Sequence, residues 1–167
     1  FDVSRVSALL EGGVAISSSR IRAAIQGADF DLARRLLGRS YRFRGTVEAG
    51  DARGRTIGFP TANLPVPAGR HLPPHGVYAV RVHRNVQPAE PALPGVMNYG
   101  VRPTFGGRAP TLEVHLIGFS GDLLGETLEV EFAGRVRGEM KFAGADALAE
   151  QIRRDVETAR EILKTGP

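Results

Sequence analysis

Apolar positions change period twice along this chain. Over residues 16 to 38 they recur at helical spacing: Ile21, Ala24 and Ile25 follow Ile16-Ser17-Ser18-Ser19, whose hydroxyls can cap a helix, and Leu32, Leu36 and Leu37 follow Asp29. Gly27 and Gly38 stand where these two predicted helices stop. From Tyr41 the period becomes two, with Tyr41, Phe43, Gly45 and Val47 on one side and Arg42, Arg44, Thr46 and Glu48 on the other. Further strands are predicted over 77–83, 95–100, 111–117 and 127–136, separated by Gly- and Pro-rich stretches at the spacing of all-β domains. Finally Leu148, Ile152, Val156, Ala159 and Leu163 form one apolar stripe of a helix from about Asp146 to Lys164, which should pack on the strands. Its opposite face, with Glu150, Arg153, Arg154, Glu157 and Arg160, reads as a solvated charged surface. The pattern predicts a mainly β fold, most economically a small barrel, with a domain boundary near Gly38 to Ser40.

Composition narrows the chemistry. The 167 residues are 42% apolar and 24% charged, enough for one ordinary core. With no cysteine, a disulfide scaffold, a thiolate metal site and a cysteine nucleophile are excluded. No stretch approaches the roughly 18 uninterrupted apolar residues of a membrane-spanning helix, and residues 1–5 lack the plan of a signal peptide, so a cytoplasmic location without membrane partners is the expectation. A formal net charge of +4 suits an anionic partner, either nucleotide phosphates or a nucleic-acid backbone.

Two connections, residues 50–58 and 65–76, are long for a small barrel, and long loops in compact domains are usually functional or disordered. The first, Gly50-Asp51-Ala52-Arg53-Gly54-Arg55-Thr56-Ile57-Gly58, leads into Phe59-Pro60-Thr61-Ala62-Asn63. Its glycines let backbone amides approach an oxyanion, and Arg53 and Arg55 can add charge-assisted hydrogen bonds to phosphate oxygens. A flexible basic hairpin loop is the competing reading. It is not a Walker A loop: the glycine spacing is one residue short, Arg55 stands where lysine is needed, and proline follows. Thr61 and Asn63 are two apart, so in an extended segment their side-chain oxygens share a face and offer hard, neutral ligands to a partly hydrated Mg²⁺. The alternative is that they make only local turn hydrogen bonds. In Thr111-Leu112-Glu113-Val114-His115-Leu116, alternation buries the apolar residues and leaves Glu113 and His115 on the other face. Glu113 fits the acceptor of a substrate hydroxyl proton better than His115 does. His71 and His75 are separated by Pro73 and Pro74, which prevents the helix that would align them as zinc ligands.

These segments together resemble the riboflavin kinase module of the bacterial bifunctional riboflavin kinase/FMN adenylyltransferases, also called prokaryotic FAD synthetases. The resemblance covers about residues 38 to 164. It rests on residues 54–63, on Gly76-Val77-Tyr78-Ala79, on Arg102-Pro103-Thr104-Phe105-Gly106-Gly107 and on Leu112-Glu113-Val114-His115-Leu116. In the tail Val130-Glu131-Phe132, Arg137, Lys141-Phe142, Gln151-Ile152, Asp155 and Ala159-Arg160 look like the closing strand and terminal helix of the module. The resemblance implies a six-stranded antiparallel Greek-key β-barrel of riboflavin kinase type with a C-terminal α-helix. It also implies transfer of the γ-phosphoryl of ATP to the 5′-hydroxyl of riboflavin, giving FMN and ADP with Mg²⁺. Carried over by residue, Thr61 and Asn63 become ligands of the metal-nucleotide complex and Glu113 the catalytic base. Gly54, Arg55, Gly58 and Pro60 belong to the loop over the ATP phosphates, and Arg137 to a loop near flavin and nucleotide.

Residues 16–22, Ile-Ser-Ser-Ser-Arg-Ile-Arg, resemble the I-S-S-T-x-I-R motif that closes the adenylyltransferase module of the same enzymes, with Ser19 in place of Thr. The upstream G-x-F-D-G-x-H segment of that module is absent, so FAD synthesis by this chain alone is not expected. Residues 1–38 are therefore read as a short helical remnant of the adenylyltransferase module, residues 39–167 as the kinase domain, and the parent protein as a fusion of the two. An RNA-binding basic barrel is the alternative from another class. Its stacking platforms would need exposed aromatics, and the chain has three Tyr and eight Phe, several at core-like positions. A regulatory flavin-binding barrel without turnover is the third reading.

Overall fold

The computed structural model describes residues 1–4, 7–50, 53–84, 91–104 and 107–165. Its elements are β1 (Leu10–Glu11), β2 (Val14–Ala15), α1 (Ser18–Gln26), α2 (Phe30–Leu37), β3 (Arg42–Thr46), α3 (Arg53–Thr56), β4 (Ala62–Leu64), β5 (Gly76–Arg84), β6 (Leu93–Thr104), β7 (Gly107–Leu116), β8 (Thr127–Arg137) and α4 (Ala145–Thr165). Both N-terminal helices start where their caps predict: Ser17 accepts from the Arg20 amide and Asp29 from the Leu32 amide, and Gly27 and Gly38 end them.

The six longer-range strands pair antiparallel in the order β3-β8-β5-β6-β7-β4. The two edge strands approach each other through the segment after β3, where the Glu48 amide donates to the Asn63 carbonyl at 2.9 Å. The sheet thereby nearly closes into a barrel, as the sequence implies. Inside it lie Phe43, Tyr78, Met97, Leu112, Val114, Leu128 and Val130, each 1% exposed or less. Phe132 collects four rings, with Phe30 of α2 stacked at 5.0 Å between centroids, Tyr41 just before β3 at 5.7 Å, Tyr78 of β5 edge-on at 5.5 Å and Phe43 of β3 tilted at 6.0 Å. Phe30 comes from α2, so the N-terminal helices plug one end of the barrel, and Ala33 and Leu36 share the same core.

A second, smaller core lies outside the sheet. Val77, Ala79, Val96 and Ile117 pack there against Val156 and Ala159 of α4, which is the packing the helical stripe predicts. This explains one departure from the alternation expected over 77–83: β5 is covered on both faces, by the barrel interior and by α4, and is buried at every position from Gly76 to Val80. Segments 95–100 and 111–117 fall on a longer pair, β6 and β7, whose ladder runs from Gly95↔Leu116 to Thr104↔Gly107 and stops one residue short of Ile117. Phe105 and Gly106, like Asp51 and Ala52, lie outside the described residues. The hairpin of β1 and β2, the single turn α3 and the three-residue β4 carry too few residues to show a period and were not predicted.

Charge organises the outer face of β3 and β8. Glu129, 6% exposed, takes Arg42 Nη1 at 2.5 Å and Arg44 Nε at 2.6 Å on its two carboxylate oxygens. Burial alone pushes this carboxyl up, but the hydrogen bond from Arg44 and the charges of Arg42 and Arg44 outweigh it and hold it below the usual carboxylate value. The resulting stabilisation is complete at neutral pH, above the unfolded carboxyl's value, and is lost as pH falls through the lowered folded value. Replacing Glu129 with Gln should therefore lower stability at pH 7 and flatten the acid limb of a plot of stability against pH, measured by urea unfolding at several pH values. An unchanged acid limb would count against this linkage.

Candidate active site

The site begins with a register. The ladder between β4 and β7 pairs Ala62 with Val114, Asn63 with Glu113 and Leu64 with Leu112. Directly opposite residues on antiparallel strands share a face with Cβ atoms about 4.5–5.5 Å apart, so the amide of Asn63 and the carboxylate of Glu113 are lateral neighbours. The row continues across the sheet, from Glu113 to Asn98 on β6, from Asn98 to Val77 on β5 and from Val77 to Arg137 at the end of β8. Two residues that the sequence separates by 50 positions are thus side by side, and a third site residue lies in the same row.

Two cavities meet at this row. The first, of about 510 Å³, is lined by Gly50, Arg55, Pro60, Thr61, Asn63 and the segment from Phe119 to Leu124. The second, of about 570 Å³, lies between the outer face of the sheet and the start of α4. Gly54, Thr61, Asn98, Glu113, His115 and Arg137 line it together with the apolar Val96, Val101, Met140, Phe142, Leu148 and Ile152. Thr61 lines both cavities, which makes the Pro60-Thr61-Ala62-Asn63 turn the partition between them.

The loop before that turn packs over it at close range. A Cβ on Gly50 would stand 2.1 Å from Asn63 Nδ2, and one on Gly54 would stand 2.2 Å from the Phe59 carbonyl and 3.4 Å from Thr61 Oγ1. Only glycine lets the backbone approach so closely. Gly58 has φ +85°, the left-handed conformation that reverses the chain after α3. The loop is less open than the sequence implies, because the amides of Ile57, Gly58 and Phe59 donate to Gly54 O, Arg55 O and Gly54 O within it. Arg55 is exposed at the mouth of the first cavity.

Arg137 is held rather than free. Its Nε donates to Asp155 Oδ1 at 2.9 Å, Nη2 to Asp155 Oδ2 at 2.8 Å and Nη1 to the Gly138 carbonyl at 2.9 Å, and its guanidinium lies 5.6 Å from the Phe142 ring centroid. Gln151, one turn before Asp155 on α4, donates to Asp155 Oδ1 at 2.9 Å. This bidentate pair fastens the end of β8 to α4 and so fixes the wall of the second cavity. Sequence reasoning placed Arg137, Gln151 and Asp155 individually but not their contact. The i, i+4 spacing of Gln151 and Asp155 is the one local signal of it. Asn98 was missed as well, because a single polar residue in a strand carries no pattern of its own. The described residues hold no cluster of three His, Cys, Asp or Glu side chains that could bind a metal by themselves.

The family described as Flavokinase, riboflavin kinase, matches residues 37–163. The bifunctional riboflavin kinase/FMN adenylyltransferase of Escherichia coli (strain K12) is 46% identical over 163 residues, which are 98% of this chain and 51% of that protein. The chain thus spans about half the length of the curated relatives it matches. Among solved structures, a Streptococcus pneumoniae protein described as a macrolide-efflux protein superposes with TM-score 0.81 at 37% identity, covering 93% of this chain and 50% of that one. The riboflavin kinase of Trypanosoma brucei shares the fold with TM-score 0.54 at 21% identity, covering 74% of this chain and 77% of that one. Among the described residues no helix is long and apolar enough to cross a membrane.

Asp155 is 3% and Arg137 18% exposed in their side chains, so Asp155→Asn leaves a partly buried guanidinium without its charge partner. Removing one partner of such a pair costs about 3–5 kcal/mol. The variant is expected to lose stability of that order in denaturant unfolding, whereas a loss under about 1 kcal/mol would mean that the pair does not hold the helix.

Proposed function

The chain belongs to the riboflavin kinase family, and we propose that it transfers the γ-phosphoryl group of ATP to the 5′-hydroxyl of riboflavin, giving FMN and ADP. The observation that carries this reading is the placement of Glu113 beside Asn63, at the partition between two cavities. Phosphoryl transfer needs a donor and an acceptor held on either side of one point, with a charge-neutralising group and a proton acceptor there.

We assign the first cavity to the nucleotide. Arg55 at its mouth can meet the phosphates as they approach the Thr61 partition. The second cavity suits riboflavin, since Val96, Val101, Met140, Phe142, Leu148 and Ile152 offer an apolar bed for a flat aromatic ring, and Asn98 and Glu113 offer polar groups for the ribityl chain.

The donor set fits a magnesium ion brought by the nucleotide. Thr61 and Asn63 supply neutral oxygen ligands, the glycine-lined approach leaves no room for bulk beside them, and phosphate oxygens and water would complete the octahedron. Bound there, Mg²⁺ would neutralise charge on the transferring group. The chain's own part is proton transfer and orientation. As the 5′-oxygen of riboflavin forms its bond to the γ-phosphorus, the bond from that phosphorus to the β,γ-bridging oxygen breaks and ADP leaves. The hydroxyl proton passes to the Glu113 carboxylate. Arg137, with three of its N–H groups already engaged, keeps α4 against the second cavity.

We further assign residues 39–167 to a kinase domain and residues 1–38 to the end of an adenylyltransferase module, which would make the parent protein a bifunctional enzyme working in the cytoplasm. Family matching over 37–163 and the half-length overlap with bifunctional relatives support this division.

Incubation with riboflavin and Mg·ATP should form FMN, followed by chromatography, and chelation of the metal should stop it. Glu113→Gln keeps the shape and removes the proton acceptor, so kcat should fall by about 10²- to 10⁴-fold. Full turnover by that variant would reject the base assignment, and no FMN from the wild-type protein would reject the reaction.

A further inference from the structure

One side chain at the site is neither a ligand nor the base in this reading, yet it holds the turn that carries the ligands. The ladder of β4 and β7 ends at Ala62↔Val114. One step further, where Thr61 and His115 would pair, a side chain takes over from the backbone: His115 Nδ1 lies 2.8 Å from the Pro60 carbonyl oxygen. A carbonyl can only accept, so Nδ1 carries the hydrogen and donates. Pro60 has no N–H and a fixed φ, which leaves its carbonyl as the one backbone group by which the residue before Thr61 can be gripped. The ring of His115 also meets Phe59 edge-on, with centroids 5.4 Å apart, and the Phe59 amide donates to Gly54 O at 2.8 Å in the loop above. His115 therefore touches the turn on one side and, through Phe59, the glycine loop on the other.

We propose that His115 is the positioning residue of the nucleotide half of the site: its Nδ1–H bond to Pro60 sets the orientation of Thr61 and thus the fit of the metal-nucleotide complex. This rests on the riboflavin kinase reading above. It makes a demand that a base or a packing residue would not make, namely that the donor at the Nδ1 position matters more than the ring. Asparagine places its Nδ2 close to where histidine places Nδ1. Phenylalanine keeps the ring and its edge contact with Phe59 but has no donor.

The test compares His115→Phe and His115→Asn with the wild-type chain in FMN formation and in the rise of melting temperature caused by Mg·ADP. Loss of one hydrogen bond should raise the KM for Mg·ATP about tenfold in His115→Phe and reduce the Mg·ADP-induced rise in melting temperature. His115→Asn should recover most of both. Should the phenylalanine variant fail to fold, His115→Leu, which branches at Cγ as His115→Asn does, serves as the variant without a donor. If the donor-free variant matches the wild type in both readouts, or if His115→Asn is as impaired as His115→Phe, the assignment is overturned. Wild-type protein that forms no FMN overturns it together with the reading beneath it, whereas FMN formation unaffected by His115→Phe rejects the role of His115 alone.

Discussion

Three backbone pairs between β4 and β7 carry the organisation of the site. Ala62 and Leu64 turn into the barrel, where they are 6% and 4% exposed, and the strand period then sends Asn63 out to the face that Glu113 occupies. A slip of one residue would exchange the faces, burying an amide among Val114, Leu112 and Met97 and exposing two apolar side chains. The register is thus enforced by the hydrophobic interior, and the juxtaposition of a carboxylate with an amide is a by-product of burying the residues on either side of the amide. Because β4 is only three residues long, it needs support beyond its ladder with β7. Glu48 supplies it at Asn63 through a backbone bridge, and His115 supplies it at Pro60 through a side chain.

The outer face of the sheet shows how a barrel core and a site can share strands. β5 is buried on both sides, with Tyr78 and Val80 inward and Val77 and Ala79 under α4, so the middle of the sheet is packed on both faces. Toward the β7 and β4 edge, α4 no longer covers the sheet completely and the second cavity opens. The bidentate pair of Arg137 and Asp155 stands at that boundary. The buried carboxylate of Asp155 and its two bonds to the partly buried Arg137 make the pair a strut rather than a mobile ligand, and Gln151 satisfies a further lone pair of the carboxylate.

The N-terminal helices belong structurally to the barrel they precede. Phe30 stacks on Phe132, and Ala33 and Leu36 complete the same core. Arg20, from the segment that resembles the end of an adenylyltransferase module, donates to the carbonyls of Val14, Ala15 and Glu11 and so ties the β1–β2 hairpin to α1. Leu9, Leu10 and Val14 of that hairpin stay exposed. The family match begins at residue 37, but the packing is not divided there.

Much of this was legible in the chain itself. Caps, glycine stops and the spacing of Leu148 to Leu163 determined three helices, because those signals act within a few residues. Alternation located the centres of five strands, and the Gly-Arg loop, Thr61, Asn63 and Glu113 could be named as candidates because their chemistry is local to each residue. Short elements escaped: β4, α3 and the β1–β2 hairpin exist only through what they pair with or pack on. The contacts that make the site were equally invisible, since Asn63 with Glu113, His115 with Pro60 and Arg137 with Asp155 are decided by strand order and by the docking of α4. Period and cap are short-range properties that a sequence can encode in a window, whereas register between distant strands is set by the burial of the whole barrel, and only the folded chain reports it.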